Sequence, residues 1–238
     1  MGGGGFMMEA SPLLDDYVLR ASGAAVPRTC FLPTASGDSD NVIARFYRAF
    51  SSKPCRPTHV ELFRRNAALA EELLGADVIY VGGGNTANML ALWRLHGVDA
   101  LLRQAWEAGV VLAGLSAGAV CWFDSGSTDS FGLPLRPLGN GLGFLQGSFC
   151  PHYDGEVTRR PVFHDLIQRQ LLPAGYAADD GAALHFRGTE LAGVVASRPN
   201  ARAFRVELDA DASAPPEVRE HALPVTVLTH PDTTIAST

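Results

Sequence analysis

Long runs are what this chain lacks. No stretch of its 238 residues strings together the apolar side chains of a membrane span, which needs about 20, so no membrane partner is expected. Nor is there a basic run, and the formal net charge is −6. A phosphate backbone would meet a surface of its own sign, which argues against nucleic acid as a partner. Cysteine is scarce. Cys30, Cys55, Cys121 and Cys150 show no C-x-x-C spacing, and three of them lie in or beside apolar runs. They read as reduced, buried thiols, and neither a metal nor a cofactor is expected. The opening residues are glycine and acid rather than a charged segment followed by an apolar one. No secretory leader is read there, and a cytoplasmic location is expected.

What is present describes an ordinary globular chain, 47% hydrophobic and 18% charged. The length suits one large α/β domain or two small ones. A single domain over 1–238 is expected, with its core in 1–208 and a peripheral C-terminal segment, 209–238. Short apolar runs alternate with amphipathic ones. Strands are predicted over 29–35, 58–62, 76–81, 109–115 and 145–150, and helices over 13–21, 41–50, 66–74, 87–95, 98–108 and 160–172. Such alternation builds a mainly parallel sheet covered on both faces. Short strands at 175–181, 182–186, 191–196 and 202–208 read as a meander. Residues 209–216 read as a loop, and the last six or so as frayed. The run Gly2–Gly5 would normally follow a strand, yet only Met1 precedes it; the expectation is a native start upstream. No Gly-Lys-Ser/Thr follows, so this is not a P-loop. The glycines are expected to permit close backbone approach at the active-site edge of the sheet.

The strongest chemical signal is Gly114-Leu115-Ser116-Ala117-Gly118, after the apolar run Val110-Val111-Leu112-Ala113. A buried strand, G-x-S-x-G and a helix start make a nucleophile elbow, whose sharp turn lifts the serine hydroxyl out of the sheet. Such a serine needs a base, a carboxylate to orient the base, and an oxyanion hole. Of the seven histidines, His152 ends the apolar run Phe149-Cys150-Pro151, and α/β sites gather at the carboxyl ends of strands. His59, His96 and His164 fall in or beside element interiors, His185 alternates within a strand, and His221 and His230 lie in the tail. For the acid there are two candidates: Asp129, in a polar stretch 13 residues after Ser116, and Asp180, in a turn before Gly181. Spacing does not choose between them. For the oxyanion hole, Gly82-Gly83-Gly84-Asn85-Thr86 follows the strand expected beside the elbow strand. Its Gly83, Gly84 and Asn85 are taken as donors and substrate contacts, paired with the N–H of Ala117.

Val81-Gly82-Gly83-Gly84-Asn85-Thr86, Gly114-Leu115-Ser116-Ala117-Gly118-Ala119 and Pro151-His152-Tyr153, in this order, resemble the S51 serine peptidases, the family of aspartyl dipeptidase (peptidase E) and, more distantly, cyanophycinases. The resemblance runs from about Met1 to Leu208. It implies a three-layer α/β/α sandwich like the class I glutamine amidotransferase domain, with Ser116 as nucleophile and His152 as base. By position it implies Asp129 as the orienting acid, with Asp180 as the alternative. The implied substrate is a short peptide, possibly a dipeptide with N-terminal Asp, hydrolysed by a monomer or homodimer. The segment from Tyr153 to Phe163 is shorter than in the aspartyl dipeptidases, which puts that Asp preference in doubt. Arg159 or Arg160 could meet a substrate carboxylate through a bidentate contact.

Two readings compete. An α/β-hydrolase esterase shares G-x-S-x-G but takes its histidine from near the C-terminus, which here means His221 or His230. A non-catalytic binding module could also use an amidotransferase-like fold. A glutamine amidotransferase itself would need cysteine at the elbow, and the nearby Cys121 is displaced from it by a helical turn.

Overall fold

Alternating side chains along two buried strands divide the core into two apolar layers. In β1 (Arg28–Leu32) and the later strand Val78–Val81, residues Cys30, Leu32, Ile79 and Val81 join one cluster, while Phe31 and Tyr80 join another. Successive side chains of a strand point to opposite faces, so this sheet is covered on both sides, as a parallel sheet must be. The computed structural model describes residues 1–64, 68–209 and 217–229.

The first half of the chain is built from α1 (Gly5–Met8), α2 (Leu13–Ala21), β1, α3 (Asp40–Phe50), β2 (Arg56–His59), α4 (Leu69–Leu74), β3 (Val78–Val81), α5 (Thr86–His96), α6 (Val98–Glu107) and β4 (Val111–Gly114). Its strands pair in parallel in the order β2-β1-β3-β4. Helix α3 lays Phe46 and Phe50 against Phe6, Phe31 and Tyr80 on one face. On the other face α5 buries Met89, Leu90 and Trp93, and α6 buries Leu102 and Ala105. Asn85 caps α5 by accepting the Asn88 N–H at 2.9 Å, and Gly97 ends it at φ 70°.

The second half contributes α7 (Ala117–Val120), β5 (Phe123–Thr128), β6 (Arg136–Leu138), β7 (Leu145–Cys150), α8 (Arg159–Gln168), β8 (Gly175–Ala178), β9 (Ala182–Arg187), β10 (Glu190–Ala196), β11 (Ala203–Leu208), β12 (Val218–Ala222) and β13 (Val225–Val227). A six-stranded sheet runs β12-β11-β8-β7-β5-β6, parallel at its centre where β7 lies between β5 and β8. A smaller sheet, β13-β10-β9, stands beside it. The opening residues join the two halves. Met1 donates to Gly114 O at 2.9 Å and accepts from Ser116 N–H at 3.2 Å, while Gly2 N–H donates to Ala182 O and Gly181 N–H to Gly3 O, each at 3.0 Å. The fold is the expected α/β arrangement of a mainly parallel sheet flanked by helices.

Several elements differ from expectation for local reasons. The strand predicted over 58–62 is β2, ending at His59 and starting two residues early through Pro57; β2 is an edge strand, where a missing N–H is tolerated. The polar stretch holding Asp129 begins as strand β5, whose Ser125, Ser127 and Thr128 are buried. The four short strands near the end are not one meander: β8 pairs with β11 in the large sheet, and β9 with β10 in the small one. The helix predicted over 66–74 is described from Leu69, its first residues lying outside the described set, as do the loop 210–216, the last residues of the chain and His230. Among the described residues no helix is long and apolar enough to cross a membrane. A largely apolar cavity of about 570 Å³ lies between β4 and β9, lined by Val110–Gly114 and Ala183–Phe186 among others; Ser116 and His152 are not in its walls.

Candidate active site

Strand β4 ends in a turn that only glycine allows. A Cβ on Gly114 would overlap the Gly118 carbonyl, and one on Gly118 would overlap the Val81 carbonyl. Two backbones therefore pass in contact beneath the serine, and Ser116 sits at φ 52°, ψ −116°. A non-glycine residue held at positive φ costs about 1–2 kcal/mol. His152, in the turn after β7, is held the same way at φ 53°. Strain of this kind concentrates at sites whose surroundings over-determine the backbone; of the four described non-glycine residues at positive φ, Asp38, Ser116, His152 and Gln170, two are the pair that meets here.

The contact is direct. Ser116 Oγ lies 2.8 Å from His152 Nε2, and His152 Nδ1 lies 2.6 Å from Asp180 Oδ1. An ionised carboxylate can only accept, so Nδ1 carries the proton and donates to Asp180, while Nε2 accepts from the serine hydroxyl. The geometry is that of a nucleophile, a base and an orienting acid in series. The pair is sheltered, with His152 and Asp180 side chains 12% and 25% exposed.

The acid at His152 is thus Asp180 and not Asp129, which corrects the positional expectation. The stretch after β5 folds over the start of α5: Asn85 Nδ2 donates to Ser130 O at 2.9 Å, and Ala87 N–H to Ser130 Oγ at 3.1 Å. Asp129 is left half-exposed, 3.7 Å from Arg159 Nη2. Asp180 follows β8, which pairs with β7 up to Cys150, and this register delivers it beside His152.

The glycine loop contributes unevenly. Gly83 is the member at the serine, since a Cβ there would lie 3.4 Å from Ser116 Cβ. Its N–H points at the Met7 sulfur, 3.4 Å away, an acceptor weak enough for a substrate oxygen to displace. Gly84 turns the chain at φ 139°, where a Cβ would overlap Ala35 O. Asn85 does not offer its side chain to a substrate: both ends are used, on Asn88 N–H and Ser130 O. Ala117 opens α7 directly after the serine.

Both arginines expected at a substrate carboxylate are engaged by the chain itself. Arg159 is 3% exposed and donates through Nε to Glu156 Oε2 at 2.7 Å. Arg160 pairs with Glu220 and stacks over Tyr153 and Phe204. His221, the tail histidine an esterase would recruit, lies on β12 with Glu207 at 3.8 Å. Cys121 is fully buried, its thiol donating to Gly118 O at 3.2 Å, and burial pushes its pKa well above the usual thiol range. That protonated thiol is no rival nucleophile.

The opening glycines, expected to permit close backbone approach at this edge of the sheet, lie beside His152 and Asp180. A Cβ on Gly3 would overlap Asp180 Oδ1 and lie 2.9 Å from His152 Nδ1, so the opening glycine run abuts the reacting pair. The run itself was visible; its partner, 177 residues away in the chain, was not.

Comparison with known proteins gives a consistent picture. A family model described as "Peptidase family S51" matches residues 1–194. The chain is 56% identical to "Uncharacterized peptidase YgaJ" of Bacillus subtilis (strain 168), over 96% of this chain and 97% of that protein. It is 25% identical to "Peptidase E" of Pasteurella multocida, over 78% of this chain and 81% of that one. In fold it is similar to the crystal structure of a peptidase from an acI-B1 Actinobacterium, with TM-score 0.65 at 18% identity, covering 94% and 95% of the two chains.

Proposed function

The chain belongs to peptidase family S51, and from that premise we propose that it is a serine peptidase cleaving short peptides, dipeptides foremost, through Ser116, His152 and Asp180. One observation carries the reading: the unbroken series from Ser116 Oγ through the His152 ring to Asp180 Oδ1, at 2.8 and 2.6 Å.

His152 Nε2 takes the serine proton as Oγ attacks the scissile carbonyl, and Asp180 stabilises the resulting imidazolium. The negative charge reaching the carbonyl oxygen is met by the N–H groups of Gly83 and Ala117. The imidazolium then gives its proton to the leaving amine, and an ester to Ser116 remains. Water, deprotonated by the same Nε2, attacks that ester; its collapse returns the proton to Oγ and frees the acid. Each step conserves protons within the site, and none calls for a metal. The dipeptide substrate rests on the resemblance of the three motifs to aspartyl dipeptidase, and the likeness to a protein named peptidase E is in keeping with it. A preference for N-terminal Asp is not part of the proposal, because Arg159 and Arg160 are occupied by Glu156 and Glu220.

The test is hydrolysis of a dipeptide panel, with and without N-terminal Asp, by wild type and Ser116→Ala. Ser116-dependent cleavage across several N-terminal residues supports the proposal. Cleavage confined to Asp-X would overturn its specificity, and no cleavage by the folded protein would overturn the peptidase reading.

A further inference from the structure

A carboxylate on a turn has no intrinsic reason to stay aimed at an imidazole. At Asp180 the aim is set through the main chain. The Asp180 N–H donates to Asp154 Oδ1 at 2.8 Å. The Asp180 carbonyl accepts from both Nε and Nη2 of Arg198, at 2.8 and 2.6 Å. The ring closes because Arg198 Nη2 also donates to Asp154 Oδ2 at 2.6 Å. One carboxylate and one guanidinium thus grip both polar groups of the Asp180 residue. The side chain is confined as well: a Cβ on Gly155 would overlap Asp180 Oδ2, as one on Gly3 would overlap Oδ1.

The partners come from well-chosen places. Asp154 stands two residues after His152 in the same turn, so the ring ties the acid to the loop carrying the base. Arg198 follows β10 and lies beyond the 1–194 stretch matched by the family model. Only a planar fork with several donors can hold one carbonyl twice and a carboxylate once; an ammonium cannot. The hydrogen bonds of Asp154 and Arg198 run to the Asp180 main chain and to each other rather than to Ser116 or His152, so their route to the site is through Asp180.

We infer that Asp154 and Arg198 are positioning residues that hold Asp180 on His152. The inference rests on the reading of Ser116, His152 and Asp180 given above, and the experiment separates the two. Steady-state kinetics on the best dipeptide are measured for Arg198→Ala, Arg198→Lys and Asp154→Asn, and for Arg198→Ala within Asp180→Ala. Displacement of a reacting group by about 1 Å can cost on the order of 100-fold. Arg198→Ala should therefore lower kcat about 10–100-fold with KM within about twofold, and Lys should restore part of it. Asp154→Asn keeps an acceptor for the Asp180 N–H and should cost less. In the Asp180→Ala background the Arg198 change should cost under about twofold, because non-additivity marks groups acting through one another. An equal loss in both backgrounds, or a loss confined to KM, would show Arg198 acting elsewhere and overturn the inference. Should Arg198→Ala not fold, Asp154→Asn carries the same comparison. Full activity in Asp180→Ala alone would be a different failure, that of the acid assignment itself.

Discussion

Gly3 packs against Asp180 so closely that no side chain fits between them. The second residue after Met1 therefore borders the hydrogen bond between base and acid. Gly3→Ala should drive the Asp180 carboxylate off His152 Nδ1 and lower kcat by about 100-fold, with little change in thermal midpoint, since the atoms displaced end a side chain. Kinetics beside a melting curve check this; unchanged kcat would mean the pair shifts together without losing its bond.

The two candidate acids are separable by isosteric change. Asp180→Asn should cost on the order of 10⁴ in kcat, the loss known when the orienting carboxylate of a chymotrypsin-type triad becomes an amide. Asp129→Asn should stay within about tenfold, because that side chain is 53% exposed beside Arg159. The reverse ranking would return the role to Asp129.

At the elbow, Gly118→Ala tests backbone contact rather than chemistry. The new methyl would overlap Val81 O and lie 2.9 Å from Gly82 O, neither of which can swing aside. A destabilisation of about 3 kcal/mol is expected, read as a lowered urea midpoint. Wild-type stability with full activity would show that the turn can open.

These outcomes bear on what the chain discloses unfolded. Ser116 and His152 were legible because each sits at the end of an apolar run, and a strand end points to one place in an α/β sheet. Asp180 was visible as a candidate but not as the choice. Deciding required knowing that β8 lies beside β7 while the residues after β5 bend over α5, and strand order is not written in local sequence. Arg160 looked available because its partner Glu220 lies 60 residues further on; the partner of Arg159, Glu156, stands only three residues before it, but nothing local showed that the two would pair. Strand β5 hid behind Ser125, Gly126, Ser127 and Thr128, small polar residues that lack the apolar signature of a buried strand yet pack in one. The layers themselves were plain, since the apolar runs of β1, β3 and β4 need cover on both faces.

Asp15 predicts a pH effect on folding that is separate from catalysis. It is 2% exposed and accepts from Tyr80 Oη at 3.0 Å; burial raises its pKa to about 6. A carboxyl whose folded pKa exceeds its unfolded one stabilises the fold below the unfolded value, near 3.8, and that contribution is lost as pH rises through about 6. Between pH 4 and 7 the stability of Asp15→Asn relative to wild type should therefore improve by up to about 3 kcal/mol. Urea titrations at pH 4, 5, 6 and 7 measure it; parallel curves for the two proteins would refute it.

Residues 1–3 are bonded to the end of β4 on one side and to the turn before β9 on the other. Ser116 follows a strand of the first sheet, and His152 and Asp180 follow strands of the second. One apolar cluster, from Ile79 and Val81 to Phe149 and Ala178, runs through both halves, so turnover would double as a gauge of assembly: it needs the two halves packed together with residues 1–3 laid between them.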